Sequence, residues 1–135
     1  MIVIPHQLRK SKISGKGVFA KRDINKGDLI VKIGLKERRY SKKQFSQFRK
    51  RYQKTLNKFG YWQNQTLIYP IDNTKYLNHS CDNNVGNYGD SDKALRDIKK
   101  GEELTYDYSI ILSKKEKIKC RCGSKNCKET VSGRK

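Results

Sequence analysis

Apolar residues recur along this chain in two rhythms. Phe45, Phe48, Tyr52, Leu56 and Phe59 fall at steps of three or four, which gathers them on one stripe of an α-helix, while Arg49, Lys50, Arg51 and Lys54 fall elsewhere on the cylinder. Ser41-Lys42-Lys43-Gln44 has the form of a capping box, in which a hydroxyl and an amide satisfy the first helical donors, and Gly60 supplies a stop. One helix over about 41–59 is predicted, its aromatic stripe packed on the core. Elsewhere the apolar runs are short and β-like: Gly17-Val18-Phe19-Ala20, Leu29-Ile30-Val31-Lys32-Ile33, Leu67-Ile68-Tyr69 and Leu104-Thr105-Tyr106, separated by Gly, Asn and Asp clusters. The fold class expected is mainly β with one short helix. A short echo supports it: the stretch from Ala20 to Leu29 resembles that from Ala94 to Leu104, each with an apolar end, a polar turn with Gly and a returning strand.

A chain of 135 residues suffices for one compact domain and little else. No apolar run approaches the length that crosses a bilayer, and the opening Met1 to Pro5 lacks the apolar stretch of a secretion signal. A soluble intracellular protein without a membrane partner is expected, cytoplasmic or, in a eukaryotic setting, nuclear and chromatin-associated.

Charge narrows the partners. The balance of 32 Lys and Arg against 13 Asp and Glu gives a formal net charge of +19, a field that favours acidic partners, nucleic acid included. It is unevenly spread, because Arg38 to Lys58 holds nine basic residues and no acidic one, whereas Asp82 to Asp107 holds seven of the acids. One face is suited to grip a polyanion and another to accept a cationic side chain.

Four places carry chemistry. Cys120, Cys122 and Cys127 lie within eight residues, and with Cys81, the remaining cysteine, they supply the four thiolates that a structural zinc site prefers. Such a site would staple the tail onto the domain; a pair of disulfides or free thiols is the alternative. Asn78-His79-Ser80-Cys81 puts two donor-acceptor side chains just ahead of that candidate ligand, fit either to read a ligand or to hold a loop. Gly15-Lys16-Gly17-Val18-Phe19 has two glycines that permit close backbone approach to a ligand, or simply a tight turn. Glu103-Leu104-Thr105-Tyr106-Asp107-Tyr108 sets Tyr106 and Tyr108 on one side of an extended segment, able to line a narrow channel or to pack as ordinary strand aromatics.

Taken together and in this order, those four segments resemble the SET-domain lysine methyltransferases with a post-SET zinc motif, over Ser14 to Cys127. The resemblance implies a fold of small β-sheets around a pseudo-knot with a zinc-stapled C-terminal tail, divided into a SET domain over 1–112 and a post-SET tail over 113–135. It implies transfer of a methyl group from S-adenosylmethionine to a lysine of a protein substrate, a histone or another basic protein. Gly15, Lys16, Gly17, Val18, Phe19, Asn78, His79 and Tyr108 would hold S-adenosylmethionine. Tyr108 would be the catalytic tyrosine, Tyr106 would occupy the family's Phe/Tyr switch position, where Tyr favours monomethylation, and Tyr61 would wall the lysine channel. Cys81, Cys120, Cys122 and Cys127 would bind zinc. The sequence departs from the pattern at Asn83, where many members carry Pro, in the short stretch from Val85 to Ala94, and in lacking a cysteine-rich segment ahead of the domain, which leaves the substrate open. The competing reading is a basic, zinc-stapled module that binds nucleic acid through Arg38–Lys58 and does no chemistry.

Overall fold

A computed structural model describes residues 1–32, 36–87, 91–112 and 114–134; Ile33 of the second predicted strand, Asp90 of the acidic stretch and Ser113 at the start of the tail lie outside the described residues. In chain order the elements are β1 (His6–Lys10), β2 (Lys16–Ala20), β3 (Leu29–Lys32), β4 (Glu37–Ser41), α1 (Lys42–Ser46), α2 (Lys50–Phe59), β5 (Tyr61–Gln63), β6 (Thr66–Pro70), a 3-10 turn (Asn73–Tyr76), β7 (Asn78–His79), β8 (Val85–Asn87), β9 (Ser91–Ala94), β10 (Glu103–Tyr106), a second 3-10 turn (Tyr108–Ile110), β11 (Lys117–Lys119) and β12 (Thr130–Ser132). They form four small sheets, ordered β1-β2-β10-β7, β3-β9-β8, β4-β6-β5 and β11-β12. No helix among the described residues is long and apolar enough to cross a membrane.

The predicted single helix is two. The capping box forms as read, with the Gln44 amide N–H donating to Ser41 Oγ at 3.1 Å and the Ser41 N–H donating to Gln44 Oε1 at 2.9 Å. The chain then leaves the helix, and Arg49 is extended at φ −58° and ψ 145°. The break is held by Gln53, whose Nε2 donates to the carbonyls of Phe45 and Phe48, both at 3.0 Å. The aromatic stripe is accordingly divided: Leu56 is fully buried, but Phe45 meets Trp62, Phe48 meets Tyr40 and Tyr52, and Phe59 meets Tyr76, all edge to face.

The main core gathers Val18, Ile24, Ile30, Leu77, Val85, Ile98 and Leu104, contributed by both halves of the chain. Its two ends are closed by the echoed segments, which pair with each other. Ile24 and Ile98 exchange both backbone hydrogen bonds at 2.8 Å. The Lys26 N–H donates to Asp97 Oδ1 and the Lys100 N–H to Asp23 Oδ1, again both at 2.8 Å, and Gly27 and Gly101 each adopt φ +90° to turn the corner. The two corners are thus equivalent halves of one two-fold arrangement.

The segment from Asn78 to Asn84 clasps β10, which is what positions the site. β7 runs parallel to β10, with Thr105 opposite Asn78 and Tyr106 opposite His79. Buried Asn84 then reaches the same strand from the side, donating Nδ2 to the Glu103 carbonyl at 2.8 Å and accepting the Thr105 N–H at 2.9 Å.

Candidate functional site

Two clefts meet at Tyr108, in the segment that continues β10. The larger, about 1100 Å³, is lined by the loop from Ile13 to Lys16, by Tyr76, Asn78 and His79, and by the tail from Ile118 to Arg121. Its wall carries seven Lys and Arg side chains and no carboxylate, so it favours a ligand that bears an anionic group. The smaller, about 480 Å³, is lined by Tyr61, Tyr106 and Tyr108 together with residues of β4, the end of α2 and the segment after the second 3-10 turn. Tyr108 lies on the wall of both, as do Lys58, Phe59, Lys75 and Ile118.

β10 ends at Tyr106, so Tyr106 and Tyr108 do not share a face by strand alternation; Asp107 caps a 3-10 turn through its carboxylate, accepting the Ser109 N–H at 2.9 Å, and that turn brings Tyr108 round to the same cleft. The Tyr108 hydroxyl donates to the Leu77 carbonyl. Burial, with a contribution from the Glu103 carboxylate, pushes Tyr108 up to about 12. Burial likewise raises Tyr61, with the Glu37 carboxylate adding to it. Both phenols are therefore neutral at physiological pH.

Of the glycine-loop residues, Gly15 and Lys16 line the large cleft, whereas Val18 is fully buried in the core and Phe19 lies under the Arg9 guanidinium at 4.1 Å. Gly17 faces the half-buried carboxylate of Glu103, and a Cβ built there would stand 2.1 Å from Glu103 Oε1. Asn78 ties the loop down, its Nδ2 lying 3.0 Å from the Ser14 carbonyl, 3.1 Å from that of Lys16 and 2.9 Å from Glu103 Oε1. Glu103 Oε2 accepts from Ser11 Oγ at 2.9 Å.

His79 joins this cleft to the cysteines. Its Nδ1 accepts the Tyr108 N–H at 2.9 Å, so the ring hydrogen resides on Nε2, which faces Cys81 Sγ at 3.5 Å. Burial lowers the His79 pKa and keeps the ring neutral. Cys81, Cys120, Cys122 and Cys127 come together with all four sulfurs within 4.8 Å of one another. The Cys81 and Cys120 sulfurs are 3.8 Å apart, the separation of about 3.8 Å that a tetrahedron of thiolates at about 2.3 Å from a zinc ion requires. Burial pushes the Cys120 thiol up to about 12. The donor set and spacing fit zinc.

The family model described as the SET domain matches residues 15–109. The chain belongs to the SET-domain family. It is 33% identical over 141 residues to histone-lysine N-methyltransferase trr of Drosophila melanogaster, covering 93% of this chain and 6% of that protein. It is 32% identical to human histone-lysine N-methyltransferase 2D, covering 93% of this chain and 2% of the other, and 33% identical to the variant-silencing SET domain-containing protein of Plasmodium falciparum, covering 90% and 5%. The chain therefore spans no more than 6% of the length of these relatives. A solved structure of a humanized mutant of the Chaetomium thermophilum Polycomb Repressive Complex 2 bound to the inhibitor GSK126 shares the fold, with a TM-score of 0.57 and 23% identity over 78% of this chain and 15% of that chain.

Within this SET domain, the residue that sequence reasoning overlooked is Glu103. It opens the Glu103 to Tyr108 run, but only pairing of β10 with β2, which sets Glu103 opposite Phe19, reveals that its carboxylate fills the space beside Gly17. Lys75 was also missed: it lines both clefts and its Nζ lies 5.3 Å from the Tyr76 ring centre, 5.6 Å from that of Tyr69 and 5.9 Å from that of Phe59. The acidic stretch contributes Asp92 and Asp107 to the smaller cleft, whose wall also carries Glu37 and the cations Lys32, Lys36, Lys58 and Lys75.

Proposed function

We propose that this SET domain transfers a methyl group from S-adenosylmethionine to a lysine of a protein substrate, a histone or another basic protein, with the large cleft as cofactor site and the smaller as lysine channel. The observation that carries this is Tyr108, the shared wall at which a ligand in one cleft can meet a side chain in the other. When bound, S-adenosylmethionine supplies an electrophilic methyl group beside a cationic sulfonium. Lys16, Asn78 and His79 would border it, and the cationic wall would receive its carboxylate. Zinc held by Cys81, Cys120, Cys122 and Cys127 would fix the tail that closes the cleft.

The chemistry asks the protein for a neutral lysine. With an ordinary pKa near 10.4, deprotonation at pH 7 costs about 4–5 kcal/mol. A channel walled by Tyr61, Tyr106 and Tyr108 strips water from the ammonium and lowers that cost. Tyr108, whose hydrogen is committed to Leu77, presents lone pairs to the cleft and orients the lysine nitrogen. Held at about 12, it is no base at neutral pH, and water takes the proton. Tyr106 on the same wall leaves less room around the nitrogen than Phe would, which supports monomethylation.

The test pairs calorimetry of S-adenosylmethionine binding by zinc-loaded protein with transfer of a labelled methyl group to histones. Tyr108→Phe should retain binding and lose most transfer. Folded, zinc-loaded protein that binds no S-adenosylmethionine would overturn the reading and leave the nucleic-acid module without chemistry.

A further inference from the structure

Of the nine cations in the Arg38–Lys58 stretch, only Lys58 lines a cleft, and the other eight have no part in the proposed methyl transfer. Among its described residues only Arg39 has a carboxylate partner, Glu37. On α2 the cations are ordered. At 100° per residue, Lys50, Arg51, Lys54 and Lys58 occupy an arc of about 100° opposite Tyr52, Leu56 and Phe59. All four are exposed, and Lys50, Lys54 and Lys58 follow one another at about 6 Å along the axis.

The helix start extends the stripe. Arg49, Lys50 and Arg51 crowd the N-terminus of α2, where the backbone dipole repels cations; the first turn holds no acidic residue and Arg49 makes no side-chain cap. That placement works against the isolated helix. It becomes favourable when an anion sits there, because the Lys50 and Arg51 amides at the helix start and the three cations then act together. The neighbouring aromatics discriminate between nucleic-acid forms. Tyr40, Phe48 and Tyr52 are engaged edge to face with one another, at 5.2 and 5.0 Å between ring centres, and Tyr52 alone of the three is exposed, so they do not form the run of open rings on which successive unpaired bases stack. What remains is recognition of phosphates.

We propose that the cationic stripe and N-terminus of α2 dock the phosphate backbone of double-stranded DNA, without sequence preference. Because Lys58 at the far end of the stripe lines both clefts, a docked duplex runs up to the mouth of the lysine channel. This answers the difficulty that a +19 protein repels a free cationic tail: the duplex binds both and brings them together.

The test is fluorescence anisotropy of a labelled 20-base-pair duplex across a salt series, which needs no methyl transfer. Each phosphate contact adds about 0.9 to the slope of log affinity against log salt. Lys50→Ala/Arg51→Ala/Lys54→Ala should flatten that slope by about 2.7, so that between 50 and 200 mM salt the wild-type affinity falls about 40-fold further than the variant's. Lys26→Ala/Lys99→Ala/Lys100→Ala, which removes the same charge from the exposed corners, should leave the slope nearly unchanged; circular dichroism confirms that both variants fold. Equal flattening by the two triple variants would overturn the proposal in favour of diffuse attraction. Tighter binding of polyglutamate than of duplex, with the same sensitivity to the α2 variant, would overturn it in favour of an acidic protein surface.

Discussion

Gly17→Ala tests whether the carboxylate of Glu103, rather than a ligand, is what requires glycine at this position. Gly17 sits inside β2 without a left-handed backbone, so alanine strains nothing locally and should even strengthen the strand by about 0.5–1 kcal/mol. The obstacle is steric: the new Cβ would lie 2.1 Å from Glu103 Oε1 and 2.7 Å from its Cδ. Relief requires the carboxylate to swing away from Asn78 Nδ2 and Ser11 Oγ, each 2.9 Å distant. Bonds to a charged group contribute about 1.5–3 kcal/mol apiece, so losing both costs about 3–6 kcal/mol. That is a large part of the about 5–15 kcal/mol that holds an ordinary domain folded. Glu103→Ala forfeits the same bonds but empties the space. In that background Gly17→Ala should cost less than about 0.5 kcal/mol, a strong coupling in a double-mutant cycle. Urea unfolding of the four proteins measures it. A cost below about 1 kcal/mol for Gly17→Ala alone, or an equal cost in both backgrounds, would refute the idea that a pinned carboxylate fills this space.

Tyr108→Phe should lower the methyl-transfer rate by the same factor at pH 7.5 and pH 9.5, since a phenol held at about 12 changes charge in neither condition; a loss confined to the higher pH would make it a base. The same raised pKa means that the folded protein keeps a proton that the unfolded chain releases between about pH 10 and 12. Stability from this group is therefore complete below about pH 10 and declines above it, and unfolding titrations should show wild type losing stability relative to Tyr108→Phe as the pH rises from about 10 to 12. Chelation should release one zinc per chain and weaken S-adenosylmethionine binding at least tenfold, because β11 and the Cys120–Arg121 wall of the cofactor cleft lose their anchor on Cys81; colorimetric zinc release alongside calorimetry reads both. Asn84→Leu should destabilise by about 2–5 kcal/mol, as the Glu103 carbonyl and the Thr105 N–H are left without partners in the interior, and thermal unfolding would detect it.

Much of the site was legible because it depends on short ordered runs: Asn78-His79-Ser80-Cys81 and the three tail cysteines need only be close in the fold to act, and the four sulfurs do converge. The capping box at Ser41 was legible for the same local reason. The helix break was not, since a 3.6-residue period runs unbroken through Gln47 to Arg49 and the feature that stops the helix is the Gln53 amide reaching back to two carbonyls. Tyr106 and Tyr108 were placed on one cleft by an alternation that ends at Tyr106; the turn capped by Asp107 does the work instead. Gly17 shows the deeper limit. A glycine marks a place where something comes close, but whether that is a ligand or Glu103, 86 residues onward, depends on strand pairing that no local pattern records.

The mutual corners around Ile24 and Ile98 also constrain how the chain can be made. Asp23 and Asp97 satisfy amides 77 and 71 residues away, so neither turn has its partners until the other has been synthesised. A nascent chain halted before Ala94 carries an open corner and a core that lacks Ala94, Ile98 and Leu104, and the entropy of closing the loop between the corners is lost before any corner bond offsets it. Neither corner can therefore close before the other exists, and a break anywhere between them leaves two pieces, each holding the other's missing hydrogen-bond partners.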